Sequence, residues 1–510
     1  MPDPIQFFIS KFEKLCEEEE ILGRYPIPRP YRNSAVQFRK CKFSEFSKRR
    51  EIVEAVGLNA FFFPAREIPG CDLLSDSGTT TMTIEQWSKL LLGDEAYGAN
   101  EGYFELKQQI IDTFGEEWRT YNSRRENMFI FHQGRACEYA LFSNLAKELI
   151  TQGYELGRVI IPSNAHFDTT QANIEAQQMQ AVNLPCVEHL NDDKTFRFRG
   201  NINLEALEKL LKENAKHVPL VYMTITNNTA GGQPVSLANI KKAYEMCHSY
   251  NIPLFLDASR FAENSWFIKE NEDEYKHLTI PEIVKETFKY CDGFHASFKK
   301  DGLVNIGGIL VIKETGLFYK KYPEFWQKLI DHQILIEGNP SYGGLAGRDL
   351  KALVEGLRVV VTEDYLKFRI HQTRRFGTKL VEYNIPIVLP VGGHAIYIDV
   401  DKFFKEKTQD EDFKGISIVA LILIAGHRLC ELGVFAFGKY RNGVEIPPDP
   451  RVNYIRAAVP RLVYEDQDLF SVAEAIKILY EYQDYIPAVN IIYGRNLSLR
   501  HFKARFQFRI

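Results

Sequence analysis

The sequence predicts an α/β protein in two parts: a large domain on a mostly parallel sheet, followed by a smaller α+β domain. Three observations carry that expectation. The chain has 510 residues, well beyond the size at which one hydrophobic core stops growing. From about residue 90, short β-branched or aromatic runs alternate with longer segments of helical period, the mark of βαβ units. Near residue 340 the Gly-rich turn SYGGLAGRD marks a change of texture.

Taken in order, residues 1 to about 75 are mixed, basic between Arg24 and Arg50, and punctuated by Pro26, Pro28 and Pro30. They predict an N-terminal extension and arm packing with the small domain. Residues 76–345 make the predicted large domain and 346–510 the small one. MFIFH at 128–132 predicts a strand, and 135–150 a helix after it. Apolar runs at 159–162, 218–225, 252–256 and 308–312 have buried-strand length. Residues 236–250 are amphipathic, with Leu237, Ile240, Ala243, Tyr244 and Cys247 on one face and Ser236 as N-cap. Beyond the Gly-rich turn the pattern predicts one long helix from 349 to about 380 and short strands at 386–389 and 394–400. A helix from Ile416 and a closing strand near 452–459 complete it.

Composition narrows the function. The formal charge is −4, from 63 Lys+Arg against 67 Asp+Glu, so nothing global favours nucleic acid or an anionic membrane as partner. The eight cysteines are scattered without a C-x-x-C or zinc spacing, which reads as buried thiols in a reducing compartment. The N-terminus is acidic and lacks a signal-peptide pattern, and the longest apolar stretch, 416–425, is about half a membrane span. A soluble cytoplasmic protein is expected.

In open parallel sheets ligands sit beyond the carboxyl ends of strands. Polar residues stand there repeatedly: Gln133, Gly134 and Arg135 after MFIFH, and Asn227 and Asn228 after 218–225. Asp257, Ala258, Ser259 and Arg260 follow IPLFL, and Ser297 precedes Phe298, Lys299, Lys300 and Asp301. An Asp at a strand end can keep a pyridine nitrogen protonated, and a Lys on the next strand can bond covalently to the aldehyde of such a cofactor. Gly134 and Arg135, where strand turns to helix, suit a phosphate. Lys299 beside Lys300 lowers the amine pKa and keeps it nucleophilic. Pyridoxal 5'-phosphate is the cofactor these residues point to. Taken singly, each residue has a plainer reading: a helix-capping Asp, a solvated Lys pair, an ordinary GGQP turn.

Longer segments then match one family. LLSDSGT (73–79), GDEAY (93–97), HQGR with Glu138, NNTAGGQPVSLAN (227–239), DASRFAEN (257–264), SFKKDGLVNIGG (297–308) and SYGGLAGRD (341–349) resemble the aromatic amino-acid β-eliminating lyases. That group comprises tryptophanase and tyrosine phenol-lyase and has the fold-type-I, aspartate-aminotransferase-like architecture. The resemblance runs from about residue 25 to the C-terminus, leaving the first twenty or so residues as an extension.

The resemblance implies roles. Lys300 would hold the cofactor, Asp257 its ring nitrogen, Asn228 and Arg260 its ring 3′-oxygen, and Phe167 its ring face. Gln133, Gly134, Arg135, Ser297 and Lys299 would take the phosphate, and Arg456 the substrate α-carboxylate, near which Ser75 also falls. Tyr97 matches the general acid, acting on a neighbouring subunit's cofactor. Glu95, Asn305 and the Gly78 carbonyl match a potassium site, and the family implies a homotetramer of catalytic dimers. Three positions side with tryptophanase: Leu432 where phenol-lyases carry arginine, Asp168 where they carry threonine, and His501 where they carry phenylalanine. Against the family's pattern stand Phe298, His295, Gly302, Cys137, His427 and Cys430. The expected activity is cleavage of L-tryptophan to indole, pyruvate and ammonia. The alternatives are a carbon–carbon or carbon–sulfur lyase for tyrosine or another β-substituted amino acid, a transaminase, and a non-catalytic homologue.

Overall fold

The structure, a computed structural model, describes residues 9–11, 13–14, 44–122, 124–404 and 408–509. The proline-punctuated part of the expected arm lies outside them. The chain divides into two compact units, Met1–Ser75 with Lys367–Ile510, and Asp76–Leu366.

The second unit is built on a five-stranded sheet in the order β1-β7-β6-β5-β4. Its strands are β1 (Met128–Phe131), β4 (Val221–Thr224), β5 (Leu254–Asp257), β6 (Gly293–Ser297) and β7 (Gly308–Ile312). A parallel pair, β2 (Ile160–Ser163) with β3 (Gln180–Asn183), forms a second sheet. β4, β5 and β6 pair in parallel, but β7 runs antiparallel to both β1 and β6. The central sheet is therefore mixed. The reason is length: residues 298–307 are too few for a helical crossover, so the chain must reverse. Two reversals leave β1 running the same way as β4, β5 and β6. All five strands of this sheet are buried along their whole length, as strands covered on both faces must be.

Helices follow the strands: α1 (Gly134–Thr151) after β1, α2 (Asp168–Ala176) after β2, α3 (Leu237–Ser249) between β4 and β5, and α4 (Phe261–Asn271) after β5. Ser236 caps α3, its hydroxyl accepting from the Asn239 amide. Phe129, Phe131, Leu141, Leu145, Leu310 and Phe255 pack in one apolar cluster between sheet and helices.

The long helix expected from 349 is two, α5 (Gly347–Val360) and α6 (Glu363–Glu382), separated at Val361 and Thr362. α5 lies in the second unit because Leu350, Leu353 and Leu357 are fully buried, and it packs against the helices Ile84–Leu90 and Glu101–Phe114. That places the division after Leu366 rather than at 345.

In the first unit β8 (Ala395–Asp399), β9 (Cys430–Leu432) and β12 (Tyr454–Ala458) form an antiparallel sheet in the order β8-β12-β9. β10 (Lys439–Arg441) and β11 (Val444–Ile446) form a hairpin, and β13 (Ala488–Tyr493) pairs with β14 (Arg505–Arg509) after the strand expected to close the chain. Residues 386–389 contribute a single bridge, Ile387 with Ile398, not a strand. α7 (Lys414–Ala425) and α8 (Asp466–Glu481) cover this sheet, α7 ending at Gly426 with φ +105°, a conformation glycine adopts without strain. No described helix is long and apolar enough to cross a membrane. The six described cysteines are buried and form no disulfide.

Candidate active site

Because β1, β4, β5 and β6 run in one direction, their carboxyl ends share one edge of the sheet. Gln133 to Arg135, Asn227 to Asn228, Asp257 and Ser297 to Lys300 therefore come to one place, from segments far apart in sequence.

At one end of that edge the backbone is packed too tightly for side chains. A Cβ on Gly134 would stand 2.6 Å from the Ser297 Cβ, and one on Gly308 would stand 2.5 Å from the Gln133 carbonyl carbon. α1 thus begins at Gly134 with its first amides against Ser297, and its first turn holds no acidic residue. Lys299 is drawn below the ordinary lysine range, first by burial and then by the charge of Arg135. The Lys299 carbonyl accepts from the Gly78 amide at 2.8 Å. A helix N-terminus, a guanidinium, an ammonium and the Ser297 hydroxyl make a donor set for a phosphate dianion, which relieves the repulsion of the two cations. The residues fit the phosphate of the expected cofactor.

At the middle of the edge lies Asp257, 6% exposed. One carboxylate oxygen accepts from the Ser259 hydroxyl at 2.7 Å and the Ser259 amide at 3.1 Å, a turn in which an Asp side chain replaces a backbone carbonyl. Burial pushes this carboxyl up, but His295, Lys300 and the Ser259 bonds outweigh it and hold it below the usual range. A buried ionised carboxylate is what a protonated pyridine nitrogen requires. The Lys300 amine is drawn down to about 8 by burial and by Arg260, with Asp257, Asp76 and Glu138 pulling the other way. Arg260 donates to both oxygens of Asp76, at 2.8 and 3.0 Å, and both side chains are buried.

Asn228 is buried, its carbonyl accepting from the Gly231 amide at 3.1 Å. Phe167 and Asp168 begin α2, and an Asp168 oxygen accepts from the Thr169 amide at 2.6 Å. Tyr97 is 76% exposed, its ring edge-on to that of Tyr342 with centroids 5.8 Å apart. Of the three expected cation ligands, Gly78 and Asn305 come together: the Asn305 carbonyl lies 3.2 Å from where a Gly78 Cβ would be. Glu95 instead accepts from Arg348 at 3.1 Å.

The first unit carries the other predicted residues. Arg456 sits on β12, buried, donating to the Leu74 carbonyl at 3.0 Å, with Ser75 next in the chain. Leu432 ends β9 at 3% exposure, among Tyr397, Val388 and Cys430. His501 is buried in the short turn Arg500–Phe502, its ring 4.0 Å from that of Phe502. Neighbouring Glu431 is pushed up to about 7 by burial, against the Phe435 amide and His501.

Sequence reasoning missed Asp76 as the partner of Arg260, and Ser259 as the clamp on Asp257. The D-x-S spacing could have revealed the second; no local signal marks the first. Among the departures, Phe298 is 1% exposed, and a Cβ on Gly302 would stand 2.4 Å from its own Cβ. The contact is to the Phe298 Cβ and carbonyl oxygen, so position 302 has no room for a Cβ whatever side chain 298 carries. Cys137 is buried and its thiol raised well above the usual range, chiefly by burial, so it is an inert filler.

The beta-eliminating lyase family profile matches residues 72–475. The chain is 40% identical over 480 residues to a tryptophanase of Salinibacter ruber, covering 94% of this chain and 95% of that one. It is 34% identical over 483 residues to a tyrosine phenol-lyase of Symbiobacterium thermophilum, covering 94% of this chain and 99% of that one. A threonine aldolase of Leishmania major shares the fold at a TM-score of 0.52 and 15% identity, over 80% of this chain and 99% of that one. The chain belongs to the beta-eliminating lyases, pyridoxal-phosphate-dependent enzymes of fold type I.

Proposed function

We propose that this chain cleaves L-tryptophan to indole, pyruvate and ammonia. The observation that carries the reading is Leu432: buried and flanked by Val388, Ala395 and Cys430, it brings no hydrogen-bond partner for a phenol hydroxyl. A hydroxyl buried there without a partner costs about 1–3 kcal/mol, enough to select against tyrosine. The higher identity to a tryptophanase than to a phenol-lyase supports the same direction.

Pyridoxal phosphate supplies an electron sink for the charge that develops at the substrate Cα. Gln133, Gly134, Arg135, Ser297 and Lys299 would hold its phosphate, Asp257 its ring nitrogen, Asn228 and Arg260 its 3′-oxygen, and Phe167 its ring. Lys300 would form the covalent link to it, and its amine would take the substrate α-proton. An amine with a pKa of about 8 suits that task, because about a tenth of it is neutral at pH 7, some hundreds of times more than at the ordinary 10.5. Arg456 grips the substrate carboxylate, with Ser75 beside it. Tyr97 delivers the proton that makes indole a leaving group, with Asp168 and His501 on the indole side. Its exposure in a single chain supports a role in the site of a second copy within a homotetramer. The Gly78 carbonyl, Asn305 and Glu95 would hold potassium, Glu95 only after releasing Arg348. The assignment includes a cytoplasmic location.

The test is a panel of L-tryptophan, L-tyrosine and S-substituted cysteines, with purified protein and cofactor, scored for pyruvate. Indole and pyruvate from tryptophan are expected. Phenol from tyrosine without indole from tryptophan would overturn the assignment.

A further inference from the structure

His295 has no task in this scheme, yet it is buried at the centre of the site. It stands on β6 directly opposite Asp257 on β5 in a parallel pairing, so the two side chains project from the same face. Its Nε2 lies 3.5 Å from an Asp257 oxygen and 3.7 Å from a Glu138 oxygen. Its Nδ1 hydrogen-bonds the Tyr222 hydroxyl, and the two rings stack at 12°. All four side chains are buried, with His295 at 2% exposure.

We infer that His295 is a positioning residue for Asp257: an imidazolium between the Asp257 and Glu138 carboxylates keeps Asp257 ionised toward the ring nitrogen. The inference rests on the proposed role of Asp257. Two carboxylates out of water cannot both stay ionised without a cation between them. The other cations near Asp257 are committed elsewhere: Arg260 is paired with both oxygens of Asp76, and Lys300 gives up its charge to bind cofactor and accept a proton. His295 is the cation left over. Glu138 is fixed from its own side, accepting from the Thr170 hydroxyl at 2.6 Å and from Asn173 at 3.2 Å. The ionisable groups around the imidazole are Glu138 and Cys137 on α1, Tyr222 on β4, Asp257 on β5, and Lys300 beyond β6. Tyr222 and Cys137 are both held neutral, with thiol and phenol raised well above their usual values, first by burial. A neutral Tyr222 hydroxyl can accept the Nδ1 proton of the charged ring.

The holoenzyme, loaded with cofactor carrying 15N in the ring, reports the nitrogen's protonation directly by NMR. In the unchanged protein at neutral pH the resonance is expected at the protonated position. In His295→Asn the resonance moves toward the unprotonated position, because Asp257 and Glu138 must now share a proton. Glu138→Gln in the His295→Asn background restores it, which a merely space-filling histidine would not require. His295→Gln replaces His295→Asn if the latter does not fold. Asp257→Asn separates the two readings. If Asp257→Asn shifts the resonance and neither His295 variant does, the His295 inference falls alone. If Asp257→Asn leaves it unmoved, the role of Asp257 falls first. Failure of Glu138→Gln to rescue also overturns the inference.

Discussion

Replacing Asp76 by Asn removes one side of the buried Arg260 pair and leaves a guanidinium without its bidentate partner. The two bonds are 2.8 and 3.0 Å, and the side chains are 1% and 4% exposed. At an effective dielectric of about 20, unit charges at that separation attract by about 6 kcal/mol. Desolvation of both ions offsets much of this, so the pair has a small net value, while breaking it from one side costs about 3–5 kcal/mol. Asp76→Asn and Arg260→Gln are each expected to cost about 3 kcal/mol or more. The double variant should cost little more than either, an interaction energy of about 2–3 kcal/mol. All four tryptophans, Trp87, Trp118, Trp266 and Trp326, lie within Asp76–Leu366, so urea unfolding of the cofactor-free chain followed by tryptophan fluorescence reads this unit. Additive costs in the double variant, within about 0.5 kcal/mol, would refute the claim that the two charges exist for each other.

Lys300 predicts a pH effect on the cofactor-free chain. Its folded pKa of about 8 lies below the ordinary 10.5, so the unfolded chain binds the extra proton between them. Stability should rise by about 3 kcal/mol as pH climbs from about 8 to about 10.5, and Lys300→Met should lose that slope in the same urea titration. Glu431 runs the opposite way. Raised to about 7 from 4.5, it binds a proton in the folded state that the unfolded chain has released, so stability falls as pH rises through that window. Glu431→Gln should flatten the fall, by about 3 kcal/mol, in denaturation midpoints at pH 4.5 and 7. Gly134→Ala places a Cβ 2.6 Å from the Ser297 Cβ and pushes the start of α1 off the phosphate. It should weaken cofactor binding about tenfold or more, measured by cofactor retained on dialysis.

Much of this site could be read from sequence because its residues sit where the chain leaves a buried strand. Strand ends are marked by an apolar run stopping, and Asp257 and Gln133 each follow such a stop. The helix capped by Ser236 was legible because its cap and its apolar face agree. The break at Val361 and Thr362 was not, since the helical period continues across it and no Gly or Pro interrupts. The direction of β7 was hidden because an apolar run carries no sense of orientation; only the short connection from β6 constrains it. The Asp76–Arg260 and Glu138–His295 pairings depend on which segments the fold brings together, and a single sequence holds no record of that.

The short connection between β6 and β7 also explains why the lysine is where it is. Sheet and turn pin these residues at several points: the Ser297 amide donates to the Ser259 hydroxyl at 3.0 Å, Asp301 N–H to the Ser259 carbonyl at 3.3 Å, and Gly307 N–H to the His132 carbonyl at 2.8 Å. Lys300 thus hangs from a backbone fixed to β1, β5 and β6 together, the kind of rigid support that holds a reacting amine in place. Around it Arg260 is paired with Asp76, and the His295 ring stands between Asp257 and Glu138. Each pair consumes its own field, so the amine feels burial more than any single neighbour. If Arg260 loses Asp76, the guanidinium is left uncompensated and the amine pKa must move further down.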